Sequence, residues 1–328
     1  MELATHIFRE YDIRGIVERD LTPEVTELVG KAYGTVLRKA LDGAPGRVAV
    51  GQDNRPHSPV LAEGLMAGLT SAGIEVVSLG TVPTPLSLWA EHRLETDGAI
   101  QITGSHNPSE YNGFKICRET AVPIGEASGL KETESEYGQI AAAAAPGEGA
   151  ASSRPVRRVD VVSDYVEHAL SVGEGRPSLR VAIDCGNGMA SVGLSPLLER
   201  LDLEVERLYF EPDCSFPNHP ADPLKVENLS DVREAVRRSG ADFGVGFDGD
   251  ADRATFEDEL GEPIPSDLMT GLHARSQLRR PPGGRVLYDL RSSWATREEI
   301  EAAGGIAEMC RVGHSFVKAS MRESGAIF

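Results

Sequence analysis

Short apolar runs recur along this chain in a fixed order. RVAVGQDNR (47–55), RVAIDCGNG (180–188) and RVLYDLRSS (285–293) each set a β-type run ahead of a polar or glycine-bearing turn. Each turn is followed by a stretch with helical spacing, SPVLAEGLMAGLTSAG, SVGLSPLLERL and TREEIEAAGG in turn. A second strand comes next, IEVVSLG, LEVERLYF and IAEMCRV, and after a further helix a third strand: DGAIQI (97–102), GADFGVGF (240–247) and SGAIF (324–328). Strands alternating with helices of this length predict βαβ units. The pattern therefore predicts an α/β protein of tandem, similar three-layer domains with mostly parallel, mixed sheets.

Composition breaks set the boundaries. The Ala/Gly/Ser-rich segment AAAAAPGEGAASSRP (141–155) ends a first domain at 1–150, and a second runs over 156–257. The charged, turn-rich EDELGEPIPSD (257–267) reads as a hairpin entering a partial third domain at 258–328. In the first two units the third strand delivers a polar loop, TGSHNP and DGDADR. In the third unit the sequence ends on the strand at Phe328. The repeat thus predicts an incomplete third domain.

Length agrees, since 328 residues suit two or three domains of about 100–200 residues. No apolar run approaches the ~18–20 residues that span a bilayer, so no membrane association is expected. The opening MELATHIFREYD lacks the basic-then-apolar pattern of a secretory signal. Cys117, Cys185, Cys214 and Cys310 lie far apart without a C-x-x-C pair, which predicts reduced thiols and a cytoplasmic location. A formal charge of −18 opposes a nucleic-acid partner, because the electrostatic contribution to such binding would be repulsive. A small phosphorylated ligand in a local basic pocket stays compatible with it. Nothing in the pattern sets an oligomeric state.

Two loops carry candidate chemistry. In FDGDADR (247–253), Asp248, Asp250 and Asp252 alternate with small residues at the end of an apolar strand. Carboxylates this close repel unless a cation neutralises them, and an all-oxygen set favours Mg²⁺ or Ca²⁺. The EF-hand pattern is excluded, although Glu259 falls at the twelfth position. Arg253 stands where that loop needs glycine, and the flanks are strands. The other loop, TGSHNPSEYNGFK (103–115), isolates Ser105. A nucleophile elbow is not met, since Thr103 and Asn107 occupy the glycine positions, and the adjacent His106 is poorly placed as a triad base. Two readings remain. Ser105 caps a helix after Pro108, or it carries a phosphoryl group near helix-terminal N–H groups that shares the metal of the three aspartates. The second suits phosphoryl transfer.

Together TGSHNPSEYNGFK and FDGDADR resemble the α-D-phosphohexomutase family, closest to its bacterial phosphomannomutase/phosphoglucomutase members. FREYDIRG (8–15), FPNHPADPLKVEN (216–228) and VGHSFVKASMRESGAIF (312–328) resemble further segments of it. The resemblance implies a Mg²⁺-dependent mutase that interconverts hexose 1-phosphate and hexose 6-phosphate, of mannose or glucose, through a phosphoserine and a sugar bisphosphate. By position it implies Ser105 as the phosphoserine, with Asp248, Asp250, Asp252 and a phosphate oxygen on Ser105 as the metal ligands. It implies Arg253 as a contact of the phosphoserine, and His106 and Lys115 as active-loop groups. Lys115 is the candidate for general acid/base work, its pKa lowered if the cleft desolvates it. Tyr11, Arg14, Arg291 and His314 are implied as substrate-binding, with Arg291 where this subgroup often has lysine. The family's sugar-recognition loop and phosphate-clamping fourth domain have no counterpart before Phe328. A truncated, poorly active mutase is therefore expected, with a catalytically silent phosphosugar-binding or regulatory protein as the alternative. Asn187 and Gly188 read as a tight strand-to-helix turn, and His219 as a loop residue.

Overall fold

The computed structural model describes residues 4–143, 155–173 and 178–328, so the linker expected at 141–155 lies mostly outside the described residues. The first unit runs β1 (Ile13–Ile16), α1 (Pro23–Ala40), β2 (Arg47–Gln52), α2 (Ser58–Ser71), β3 (Glu75–Thr81), α3 (Thr84–Arg93), β4 (Gly98–Ile102), β5 (Tyr111–Arg118), β6 (Val122–Pro123) and α4 (Lys131–Ala143). Across the linker follow β7 (Arg157–Arg158) and α5 (Val162–Val172). The second unit runs β8 (Leu179–Asp184), α6 (Ala190–Leu198), β9 (Leu203–Leu208), α7 (Ser230–Ser239), β10 (Phe243–Phe247), β11 (Ala254–Glu257) and β12 (Pro263–Ile264). The third holds α8 (Ser266–Gln277), β13 (Arg285–Asp289), α9 (Trp294–Ala302), β14 (Ile306–Cys310) and α10 (His314–Ser324).

The first sheet has the order β1-β5-β4-β2-β3-β7, with β6 on β5; the second has β12-β11-β10-β8-β9. In the first sheet β2 sits between its parallel neighbours β4 and β3, in the second β8 sits between β10 and β9, and an antiparallel strand (β5 or β11) folds back beside β4 or β10. Both sheets are therefore mixed. In the third unit β13 pairs in parallel with β14. On its other side Ile327 N–H donates to Arg285 O at 2.9 Å and Leu287 N–H donates to Phe328 O at 2.8 Å. The strand expected at 324–328 is thus only partly formed, because Ser324 still closes α10. Arg157–Arg158 form an edge of the first sheet, and Pro263–Ile264 form an edge of the second. The hairpin foreseen at 257–267 accordingly belongs to the second sheet rather than opening the third unit.

Strand alternation builds two layers of core on the first sheet. Val48, Val50, Ile100, Ile102, Phe114 and Ile116 pack on one face with Leu61 and Leu65 of α2, and Ala49, Val77, Leu79 and Ala99 pack on the other with Leu86 of α3. Val161 and Tyr165 join this second layer, and Trp89 meets Tyr165 edge-on at 5.4 Å, so α5 buttresses the first unit. Helix starts follow local chemistry. Thr22 caps α1 by accepting from Val25 N–H at 3.3 Å, with Pro23 in the first turn. Among the described residues no helix is long and apolar enough to cross a membrane.

One buried charge stands against the rest of the second sheet. Glu257 lies on β11 opposite Gly244 of β10, is 0% exposed, and neither carboxyl oxygen has a hydrogen-bond partner among the described residues. Burial pushes its carboxyl up to about 7, Asp184 adding to the push and Arg233 opposing it. Below its ordinary value of 4.5 the group is neutral in both folded and unfolded chains, so folding is unaffected there. As pH rises to 7 the unfolded chain loses this proton first, and stability falls by about 3 kcal/mol, at ~1.4 kcal/mol per pH unit. Glu257→Gln should therefore raise unfolding stability by about 3 kcal/mol at pH 8 and leave it nearly unchanged at pH 4.5. Urea denaturation at the two pH values measures this, and an equal effect at both would disprove it.

Candidate active site

The serine loop joins β4 to β5 and is held from behind. Arg55, 1% exposed, donates to four carbonyl oxygens of this loop: Ser105 at 3.2 Å, Asn107 at 2.6 Å, Pro108 at 2.7 Å and Tyr111 at 3.0 Å. Its charge is balanced by Asp53, whose Oδ2 lies 3.3 Å from Nε and also accepts from Gly104 N–H at 3.0 Å. Ser58 Oγ donates to Asp53 Oδ1 at 2.5 Å, and Asn112 Nδ2 donates to Ser58 Oγ at 2.9 Å. A Cβ on Gly104 would sit 2.1 Å from Arg55 Cζ, which is why glycine precedes the serine. Ser105 is 2% exposed with φ 51°, a left-handed conformation that this network maintains. No helix follows Pro108; the chain turns directly into β5. The capping reading of Ser105 is thereby overturned, and so is the expectation of helix-terminal N–H groups beside it.

The acidic loop joins β10 to β11 at the matching end of the second sheet. Asp248 Oδ1 accepts from Asp252 N–H at 3.0 Å and Arg253 N–H at 3.1 Å, curling the loop back on itself. The carboxylates of Asp248, Asp250 and Asp252 converge so that one oxygen of each lies within 4.8 Å of the others. The two loops meet directly. Ser105 Oγ donates to Asp248 Oδ2 at 3.3 Å, and a Cβ on Gly249 would come within 2.6 Å of Ser105 O, so only glycine permits this approach. Thr84, at the start of α3, donates to Asp250 Oδ2 at 2.5 Å. Lys115, on β5, donates to the same oxygen at 2.6 Å and also to Asp252.

Charges in this trio are shared unequally. Burial pushes Asp248 up to about 8, with Asp250 and Asp252 pushing the same way. For Asp250 burial also raises the pKa, but Lys115 and the Thr84 and Ser105 hydroxyls outweigh it and hold the carboxyl well below its usual range. Burial pulls the Lys115 ammonium down, yet Asp250 and Asp252 raise it overall. The lowered amine expected from desolvation is therefore corrected: the acids next to it win. Burial first, and then the Arg253 charge, lower His106, whose Nδ1 accepts from Arg253 Nη1 at 3.1 Å and lies 3.3 Å from Ser105 Oγ. His106 is thus in contact with the serine despite being its neighbour in sequence.

A hard divalent cation fits these residues. The donors are all oxygen, and Asp250 Oδ1 is buried without a partner. A protein cation, Lys115, is already drawn onto the acids. The flanks are strands, as the rejection of the EF-hand requires.

In front of both loops lies a cleft of about 590 Å³ lined by Tyr11, Arg14, Ser105, Lys115, Arg253 and Lys318, among others. Arg14 is anchored by Asp12 at 2.6 Å and donates to Thr103 O at 3.1 Å. Tyr11 meets Phe316 of α10 edge-on at 5.9 Å. Arg291 is not brought in: it folds back onto Asp289 at 2.6 Å, with 74% of its side chain exposed. The side chain of His314 lies outside the described residues. Asn187 and Gly188 form the turn from β8 to α6, and His219 pairs with Asp184 at 2.9 Å. Sequence reasoning passed over Arg55, Asp53, Thr84 and Lys318. The charged pair just after the apolar β2, in QDNR, was a visible clue to the first two.

Three family models match in succession: phosphoglucomutase/phosphomannomutase α/β/α domain I over 5–142, domain II over 163–261 and domain III over 265–328. A protein of Xanthomonas campestris pv. campestris named phosphohexose mutases is 38% identical over 323 residues, covering 98% of this chain and 70% of its own. A Pseudomonas putida phosphomannomutase/phosphoglucomutase is 36% identical, covering 99% of this chain and 68% of its own. The crystal structure of a phosphoglucomutase/phosphomannomutase family protein from Burkholderia thailandensis superposes with a TM-score of 0.89 at 33% identity, over 98% of this chain and 69% of that one. With three tandem α/β/α domains matched in order and both loops meeting in one cleft, the chain belongs to the phosphoglucomutase/phosphomannomutase family of mutase isomerases.

Proposed function

We propose that this chain moves a phosphoryl group between the 1- and 6-oxygens of a hexose, mannose or glucose, using Ser105 as the phosphate carrier and Mg²⁺ as the cofactor. The observation that carries this reading is the 3.3 Å contact of Ser105 Oγ with Asp248, made between two units beside the carboxylate trio. Relatives named both phosphomannomutase and phosphoglucomutase support the choice of sugars.

Asp248, Asp250 and Asp252, with an oxygen of the serine-borne phosphate, would hold the ion. When bound it neutralises charge on the transferring group. The chain's own residues do the rest. Arg55 and Asp53 fix the loop so that Ser105 Oγ faces the cleft. In transfer the bond from phosphorus to Ser105 Oγ breaks and one to a sugar hydroxyl forms; Ser105 Oγ takes a proton from an ammonium, and the proton that the sugar hydroxyl gives up recharges that amine. Lys115, charged beside Asp250, supplies that proton as the acid, and Arg253 and His106 line the path of the group. The second half-reaction returns the other phosphate of the bisphosphate to Ser105.

Incubation with glucose 1,6-bisphosphate and Mg²⁺ should add one phosphoryl group to the chain, located on Ser105 by intact and peptide mass spectrometry and missing from Ser105→Ala. A serine left unmodified would refute the carrier role. For the metal, Asp250→Asn should weaken Mg²⁺ binding in calorimetry by more than about tenfold, since even second-shell changes cost ~10–100-fold. Unchanged affinity would remove the trio as the ion's site.

A further inference from the structure

The cleft holds five side chains able to carry positive charge: Arg14, His106, Lys115, Arg253 and Lys318. Four are engaged. Arg14 lies on Asp12, Lys115 on Asp250 and Asp252, and Arg253 on His106. Among the described residues Lys318 is the one without a hydrogen-bond or ion-pair partner, although it is half-buried. Leaving a partly desolvated ammonium unpaired is costly, and an anion entering the cleft removes that cost.

Placement of Lys318 is controlled by its helix. One turn further along the same face of α10, Arg322 Nη2 donates to Thr120 O of the first unit at 2.8 Å. At the start of the helix Phe316 rests edge-on against Tyr11 at 5.9 Å and takes the Arg311 guanidinium over its ring at 4.0 Å. The third unit is thereby clamped on the first with Lys318 turned into the space in front of Ser105.

We propose that Lys318 is a phosphate ligand contributed by the third unit, its ammonium binding a phosphate monoester of the sugar across the cleft from Ser105. This rests on the phosphosugar reading above and adds a residue to which no role was assigned from sequence. The chemistry suits a compact dianion held by a point charge.

The test compares the wild type with Lys318→Met, Lys318→Arg and Arg322→Met. Calorimetric titration of glucose 1,6-bisphosphate reads binding, and the rate of Ser105 phosphorylation with Mg²⁺ reads transfer. Lys318→Met should raise both the dissociation constant and the half-saturating concentration by about ten- to a hundredfold, the usual range for a charged hydrogen bond, with the maximal rate little changed. Lys318→Arg should restore most of the affinity, and thermal melts should match throughout. Inorganic phosphate titrated alone should weaken by a similar factor, because the amine holds the phosphate and not the sugar. Wild-type affinity in Lys318→Met would overturn the assignment. So would an Arg322→Met variant that reproduced the loss, since helix docking rather than the amine would then be responsible. A wild type that bound the bisphosphate but took no phosphate on Ser105 would count against the carrier role alone, because the calorimetric comparison stands without it.

Discussion

Everything chemical in this molecule depends on one approach between backbones. The loop after β4 and the loop after β10 touch where Gly249 faces the carbonyl of Ser105, closer than any side chain would permit. That approach brings a hydroxyl against Asp248 and sets three acids beside a lysine from the opposite sheet. Each loop alone is unremarkable: one is a strained turn, the other an acidic one. Joined, they make a cluster of carboxylates with a hydroxyl on its rim. The strain is maintained from one side by Arg55, buried against four carbonyl oxygens, and from the other by Thr84 and Lys115 on Asp250.

The repeated topology explains why the loops can meet. In each of the first two units the third strand lies beside the first and is followed by an antiparallel return. The polar loop therefore emerges at the same end of both sheets, the carboxyl end where α/β proteins collect ligands. Helix α5 fixes how the units face each other, packing Tyr165 on Trp89 of the first while lying against α6 of the second. The third unit repeats the central pair of strands and adds α10, whose Arg322 and Phe316 contact Thr120 and Tyr11 of the first unit and whose Lys318 lines the cleft.

The sequence made some of this legible for definite reasons. Strand and helix positions followed from apolar periodicity, and Asp248, Asp250 and Asp252 stood out as a set because carboxylates spaced by single small residues are held close together, as they are here. Ser105 stood out through its neighbours. Arg55 and Thr84 stayed hidden, since a buried arginine that braces a loop and a surface arginine look alike until the carbonyls around it are placed. The sign of the Lys115 shift was missed for a related reason: desolvation can be guessed from a closed cleft, but the two acids that outweigh it belong to another unit. The expected helix after Pro108 failed because β5 begins at Tyr111, leaving no room for one. The hairpin at 257–267 was foreseen, but its pairing partner, β10, was not a local feature.

Charge ties the site to the whole chain. A net charge of −18 builds a potential that repels polyanions at long range. Within a cleft only a few ångströms wide, however, local charge decides, because the Debye length at physiological salt is about 8 Å. There the acids are already answered: Asp250 and Asp252 by Lys115, and Asp12 by Arg14. Arg253 and Lys318 add positive charge to the same walls. Local positive charge of this kind can accept a small dianion in a chain whose net charge of −18 repels longer polyanions.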